Sequence, residues 1–149
     1  MRALFFLSLF FLFAPVSYAV YTDEIALDSK RVWEAAHQAL ESYGIGKENP
    51  AKGTLESRWI EDLVRRSHKF LPEAIKGSYL RRYRLVITLR EEGGKTSVTI
   101  KGKFQQKDTG LPPAAPWLPI SPKTEDYEME RNFFMKLIAR LEQNLTSPS

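Results

Sequence analysis

Two segments of the chain carry apolar residues at the spacing of an amphipathic helix. The first begins after Asp28, a good N-cap residue, and we predict a helix over 29–43 that ends before a left-handed cap at Gly44. The second is predicted to begin at 121–124 and to run to about Asn144. The apolar positions are Val32, Ala36, Ala39, Leu40 and Tyr43 in the first helix, and Tyr127, Phe134, Leu137, Ile138, Leu141 and Leu145 in the second.

Between these helices the pattern changes to the alternation of a β-hairpin. Strands over 79–92 and 95–107 flank Gly93-Gly94, a two-residue turn that tolerates positive φ at both positions. The turn sets the register, so that the numbers of paired residues sum to 187. The missing side chain at Gly102 either lets a helix approach closely or leaves a small hollow. The pairs predicted on the buried side are Leu89 with Val98, Ile87 with Ile100, Leu85 with Gly102, and Tyr83 with Phe104.

The remaining segments complete the sheet. Residues 54–60 alternate and predict a half-buried strand, and 21–27 predict a short edge strand. Residues 45–52 favour a turn. Residues 62–78 predict a loop or an extension of the strands beside it, and 109–122 predict a proline-rich loop. We therefore expect an α+β fold, in which an antiparallel sheet of three to five strands is packed on one face by both helices.

The first 19 residues predict a secretory signal peptide. Arg2 precedes an apolar stretch over 3–14, and Ser17 and Ala19 occupy the small-residue positions of a cleavage site. The stretch is shorter than the roughly 20 residues of a membrane-spanning helix, which disfavours an uncleaved anchor. Cleavage after Ala19 leaves a single domain over 20–149 with a periplasmic or secreted location.

The sequence contains no cysteine. This excludes disulfides, thiolate metal sites and a cysteine nucleophile. It also excludes the lipidated cysteine of a bacterial lipoprotein, so we expect no covalent membrane anchor. His37 and His68 are the only histidines, and neither belongs to a catalytic or metal-binding motif. We predict no catalytic residue, metal or cofactor, and an enzyme assembled from scattered residues is the least favoured alternative.

Basic residues concentrate in the hairpin region, although the formal net charge is only +4. Residues 62–107 carry twelve Lys or Arg and four Asp or Glu. The register puts Arg84 opposite Lys103, a mildly destabilising pair of like charges. An acidic partner, an anionic lipid or the protein's own carboxylates would relieve this repulsion. Alternatively, the cations only keep the exposed face of the sheet soluble. The cations predicted on this solvent face are Arg82, Arg84, Arg90, Lys101, Lys103 and Lys107.

The three tryptophans lie in different predicted elements. Trp117 lies among the prolines of 109–122. A tryptophan in such a loop either anchors the loop on the core or contacts a partner, and anchoring is favoured. Trp33 and Trp59 are expected at the interface between helix and sheet.

The order of these elements resembles a known family. A first helix is followed by the strand Gly-Thr-Leu-Glu-Ser-Arg-Trp (53–59), the strand Tyr-Leu-Arg-Arg-Tyr-Arg-Leu (79–85), a glycine hairpin and a final helix. This order is similar to the helix-grip domains of the BamC (NlpB) family of bacterial envelope proteins. The resemblance implies a non-enzymatic accessory role in outer-membrane or envelope assembly. The members of that family are lipoproteins, and this chain has no cysteine to lipidate.

Two function hypotheses follow. The first is an exported module that binds an envelope protein or an anionic lipid surface through the basic face or the Trp117 loop. The second is a periplasmic carrier of a lipid or small hydrophobic ligand, held between the sheet and the last helix. The carrier's loop or cavity contacts would be Trp117, Tyr83, Gly102 and Phe104. Nucleic acid is not expected, because an exported protein meets little of it and the sequence has no aromatic-rich RNA-binding motif. No oligomeric state is predicted.

Overall fold

The computed structural model describes residues 20–65, 78–120 and 127–147, and it confirms the α+β fold. The predicted signal peptide and the predicted start of the second helix at 121–124 lie outside these residues. In chain order the elements are β1 (Val20–Ile25), α1 (Ser29–Glu41), β2 (Ile45–Asn49), a 3-10 turn (Pro50–Lys52), β3 (Thr54–Ser57), β4 (Ile60–Arg65), β5 (Ser78–Glu92), β6 (Lys95–Asp108), β7 (Leu118–Pro119) and α2 (Tyr127–Thr146).

The β5–β6 hairpin is the centre of the sheet, and its predicted register is confirmed. Every pair from Tyr79 with Asp108 to Glu92 with Lys95 sums to 187. The turn glycines have φ angles of 60° and 78°, as a turn of this kind requires. The alternation of buried and exposed side chains follows directly from this register.

Shorter strands flank each side of the hairpin. On one side β5 pairs first with β4 and then with β3, and β3 pairs with β2. On the other side β6 pairs with β1 and then with β7. All pairs are antiparallel, and the spatial order is β1-β6-β5-β3-β2. The described residues therefore form a sheet of seven strands, more than the three to five predicted.

The extra strands come from segments predicted as turn or loop. Residues 45–49 form the edge strand β2, not part of a turn, while 50–52 form the 3-10 turn. Periodicity gave no sign of β2, because four of its five residues are exposed and its register shifts between Ile45 and Lys47. β4 extends the neighbouring strand to Arg65, which is the alternative reading of the predicted 62–78 loop.

Both helices lie on one face of the sheet, the inner face. Asp28 caps α1 as predicted, since its side chain accepts a hydrogen bond from the Arg31 N–H, and Gly44 has a φ of 77° after the helix. The α2 stripe is only partly as predicted: Leu145 is 57% exposed, whereas Phe133 and Glu130 are fully buried. Buried core residues include Val32, Leu40, Leu55, Leu85, Ile87, Ile100, Phe133, Leu137 and Leu141.

Two side chains accept hydrogen bonds from backbone N–H groups in the middle of the hairpin. The paired residues Leu85 and Gly102 lie at this position. The Leu85 N–H donates to Ser57 Oγ at 2.9 Å, and the Gly102 N–H donates to Glu130 Oε1 at 3.0 Å. A buried backbone donor requires such a partner, so Ser57 and Glu130 satisfy two backbone donors on opposite sides of the hairpin.

Replacement of Ser57 by Ala tests the first of these bonds. The Leu85 N–H would lose its acceptor, and we expect the free energy of unfolding to fall by about 1–3 kcal/mol. Urea denaturation measures the change. Ser97→Ala on the outer side of β6 is the matched control and should change stability by less than about 0.5 kcal/mol. Equal effects of the two substitutions would contradict this role for Ser57.

Candidate functional site

The predicted cations lie on the outer face, which is the side of the sheet turned away from α1 and α2. Leu85, Ile87 and Leu89 are buried on the inner face, so the even-numbered residues of β5 point outward. Their outward partners on β6 are odd-numbered. The register thus brings together Arg82, Arg84, Arg90, Lys101 and Lys103 as predicted.

Lys107 lies on this face but is not an exposed cation. Its side chain is buried, and its Nζ donates a hydrogen bond to the carbonyl oxygen of Pro113 in the proline-rich segment. The segment folds over the end of β6 and covers the ammonium group. The prediction of Lys107 as an exposed cation of the binding face is therefore wrong, because the neighbouring proline-rich segment already uses its charge.

Two tryptophans and two arginines form a continuous array on the outer face, the Trp–Arg stack. The Arg82 guanidinium carbon lies 4.3 Å from the ring centroid of Trp117 and 4.5 Å from that of Trp59. The Arg84 guanidinium carbon lies 4.7 Å from the centroid of Trp59. Cation–π contacts at these distances each contribute about 0.5–2 kcal/mol, depending on desolvation.

The breaks in the flanking strands bring the tryptophans to this place. β3 ends at Ser57 and β4 begins at Ile60, and between them the Arg58 N–H donates to the Gly44 carbonyl at 2.7 Å. The break resets the alternation and turns Trp59 outward. The prediction of Trp59 at the helix–sheet interface is therefore wrong, because it assumed one continuous strand, whereas Trp33 packs against the core as expected.

Trp117 reaches the stack from the opposite side of the hairpin. It directly precedes β7, which pairs with Gln105 and Gln106 of β6, and the Ile120 N–H donates to the Phe104 carbonyl at 3.1 Å. Trp117 thus anchors its loop, but on arginine of the outer face and not on the apolar core. Its place among prolines marked it as notable, yet nothing local in the sequence identified Arg82 as its partner.

Both arginines of the stack are also held by polar contacts. Arg82 Nε donates to Gln105 Oε1 at 2.8 Å, and an Arg84 terminal nitrogen lies 3.1 Å from Glu56 Oε2. Burial lowers the pKa of Arg82, Glu61 opposes this effect, and the charge of Arg84 adds to it. Glu56 relieves the like-charge pair of Arg84 and Lys103, so the protein's own carboxylate does part of what an acidic partner would do.

This arrangement holds planar cations in fixed positions. A guanidinium group that is stacked and hydrogen-bonded has already lost much of its side-chain freedom, so binding an anion costs less entropy. Arginine presents paired N–H donors that match a carboxylate or a phosphate. Arg90, Lys101 and Lys103 extend the positive charge along the same face. The outer face is thus suited to recognise an anionic surface.

The inner face beside Gly102 is filled. A Cβ atom at Gly102 would lie 2.3 Å from Glu130 Oε1 and 2.6 Å from the Phe104 ring, so the missing side chain permits a close approach of α2. Phe104 stacks with Tyr83 at a centroid distance of 6.2 Å, and burial raises the pKa of Tyr83. An open cleft of about 370 Å³ lies elsewhere, with Trp33 and Leu89 in its wall.

The other candidate features of the described residues are a metal site around the histidines and a membrane-spanning helix. His37 contacts Glu48 at 3.1 Å and Glu41 at 3.6 Å, but no group of three or more metal-ligating side chains occurs in 20–65, 78–120 and 127–147. His68 lies outside these ranges. No helix in the described part of the chain is long and apolar enough to cross a membrane.

Fold and site together define a protein with an open antiparallel sheet, two helices on its inner face and a Trp–Arg stack on its outer face. No protein-family model matches the sequence, and no curated protein matches it either. The chain is similar to the solved structure of a DUF4468 family protein from Bacteroides ovatus, with 14% identity, a TM-score of 0.45, and coverage of 87% of this chain and 86% of that chain. It is also similar to a TBP-like protein from Parabacteroides distasonis, with 12% identity, a TM-score of 0.43, and coverage of 84% and 93%. These likenesses concern the fold, and the resemblance to the BamC family stays a prediction.

Proposed function

We propose that this protein is an exported, non-enzymatic binding module that recognises an acidic protein of the bacterial envelope through the outer face of its sheet. The Trp–Arg stack is the observation that carries the proposal. In this stack two large aromatic side chains, Trp59 and Trp117, pack on Arg82 and hold it at the surface of the sheet. A role as an accessory in outer-membrane or envelope assembly accords with this module and rests on the predicted signal peptide and the family resemblance.

The composition of the stack supports a protein partner. Tryptophan and arginine are the residue types most enriched among binding hot spots at protein interfaces. A cationic face whose arginines are held in place suits an acidic protein surface, where carboxylates supply both charge and paired acceptors.

An anionic lipid surface is the weaker partner. Insertion into a bilayer requires apolar side chains that project from the surface. Trp59 and Trp117 are instead half-buried and packed against guanidinium groups. Lipid binding through this face would therefore be electrostatic only and would weaken steeply with salt.

Charge reversal on the outer face tests the proposal. The double variant Arg84→Glu, Lys103→Glu should weaken binding to a glutamate-rich peptide at least about tenfold, because a tenfold loss corresponds to about 1.4 kcal/mol, within the range of one charged contact. Fluorescence anisotropy of the labelled peptide measures the affinity, and far-UV circular dichroism confirms that the variant is folded.

The matched control reverses two cations on α2. Lys136→Glu, Arg140→Glu changes the net charge by the same amount on the helical side and should leave the affinity unchanged. An equal loss in both double variants would mean that only net charge matters and would overturn the proposal. Binding to phosphatidylglycerol vesicles but not to the peptide would overturn the choice of a protein partner.

The carrier alternative has no observation in its favour at its predicted place. Glu130 and Phe104 occupy the space beside Gly102, so a ligand there would have to displace a buried carboxylate. Trp117 is on the other face of the sheet.

A further inference from the structure

Val20 follows the predicted cleavage site and lies in β1, where it pairs with Lys101. We propose that cleavage after Ala19 creates an α-ammonium group on Val20 that forms an ion pair with the buried carboxylate of Glu130 and thereby stabilises the mature domain. This inference rests on the export part of the proposed function.

The hydrogen-bond pattern of β6 places Glu130 at the end of β1. Leu85 donates away from β6, so the Leu85–Gly102 pair does not exchange backbone bonds and Gly102 directs its N–H toward the strand on its other side. That strand is β1, and a residue before Val20 would be the ladder partner of Gly102. Glu130 Oε1 accepts this N–H at 3.0 Å, as the carbonyl oxygen of such a residue would.

This placement brings the carboxylate within reach of the new terminus. In a continued strand the carbonyl that accepts from Gly102 is bonded directly to the Val20 nitrogen. A carboxylate oxygen in the same place is therefore close to that nitrogen. Gly102 provides the room, because a Cβ there would collide with Glu130 Oε1.

Cleavage changes the charge of the Val20 nitrogen and leaves the Glu130 carboxylate as it was. A leader peptidase hydrolyses the Ala19–Val20 amide with one water molecule, leaving a carboxylate on Ala19 and an ammonium group on Val20. Glu130 is fully buried, whereas Val20 is 45% exposed, so water screens the attraction less than it would between two exposed charges. Before cleavage the Val20 nitrogen is an uncharged amide, and the same attraction is absent.

Chains with different N-termini test the inference. All buried core residues lie between Ile25 and Leu141, so a chain over 20–149 contains the whole described core. We would compare a chain that begins at Val20, one that begins at Ala19, and one that begins at acetylated Val20, using urea denaturation. The free Val20 terminus should have a folding constant at least about tenfold larger than the other two, because it alone supplies an ammonium group at the buried carboxylate.

Glu130→Gln, made in each of the three chains, shows whether the effect of the N-terminus depends on the charge of Glu130. The amide oxygen can still accept from Gly102 and the side-chain size is unchanged, but the charge is gone. The three N-termini should then be equally stable. Equal stability of the three chains with Glu130 intact overturns the inference, as does a Val20 advantage that survives Glu130→Gln.

The predicted cleavage after Ala19, on which the inference rests, is tested by a separate measurement. The intact mass of the protein recovered from the cell envelope shows whether it begins at Val20. A different start would count against the predicted cleavage, whereas the comparison of purified chains would still report on the ion pair.

Discussion

Gly102→Ala is expected to destabilise the protein by about 2–4 kcal/mol, because it combines overpacking with the loss of a buried hydrogen bond. The new methyl group would lie 2.3 Å from Glu130 Oε1 and 2.6 Å from the Phe104 ring. Neither neighbour can yield easily. Glu130 is fully buried on α2, and moving it would leave the Gly102 N–H without its acceptor.

Thermal and urea denaturation measure this effect, and Gly110→Ala is the matched control. A Cβ at Gly110 would have no atom within 4 Å, so its substitution should change stability by less than about 0.5 kcal/mol. The result also bears on function. A neutral or stabilising Gly102→Ala would mean that the space above Gly102 is a hollow, as the carrier hypothesis requires, and that α2 does not press against the sheet there.

Phe133→Ala is expected to cost about 3–5 kcal/mol, the range for removing a fully buried aromatic side chain. The Phe133 side chain is completely inaccessible to solvent, and its ring meets Tyr43 edge to face at a centroid distance of 5.8 Å. Its loss would open a cavity between α2 and the segment that follows α1. We expect a large fall in the urea midpoint with little change in the slope of the transition.

Met135→Ala provides the comparison on the same helix. Met135 is 59% exposed, so its truncation should leave stability within about 0.5 kcal/mol of the parent. Similar losses for the two variants would show that the contact of Phe133 with Tyr43 does not hold α2 in place. A selective loss in Phe133→Ala would establish that contact as a main support of the fold.

Short-range patterns in the sequence predict much of this fold. The Gly93-Gly94 turn and the alternation beside it determine the register of the hairpin, because a two-residue turn allows only one pairing of its strands. That register alone places Arg82, Arg84, Arg90, Lys101 and Lys103 on one face. Helical spacing likewise identifies most of the buried residues of α1, since each position depends only on neighbours within two turns.

Other features depend on which distant segments become neighbours. Periodicity assigned Phe133 no place in the α2 stripe and gave no reason to expect a buried Glu130, because a carboxylate becomes tolerable there only once Gly102 supplies a donor and the space. The burial of Lys107 is more local: the chain turns back after β6, and the carbonyl oxygen of Pro113, six residues further on, accepts its hydrogen bond.

The candidate site shows the same division. The sequence by itself determined the α+β class, the hairpin register and the presence of a cationic face, all of which follow from local periodicity and turn chemistry. Only the tertiary structure decided that Trp59 and Trp117 meet on Arg82 and that Glu56 pairs with Arg84. These contacts arise where β3, β4 and β7 begin or end along the hairpin, and the ends of paired strands are set by long-range packing and backbone hydrogen bonding, not by the residues of any one segment.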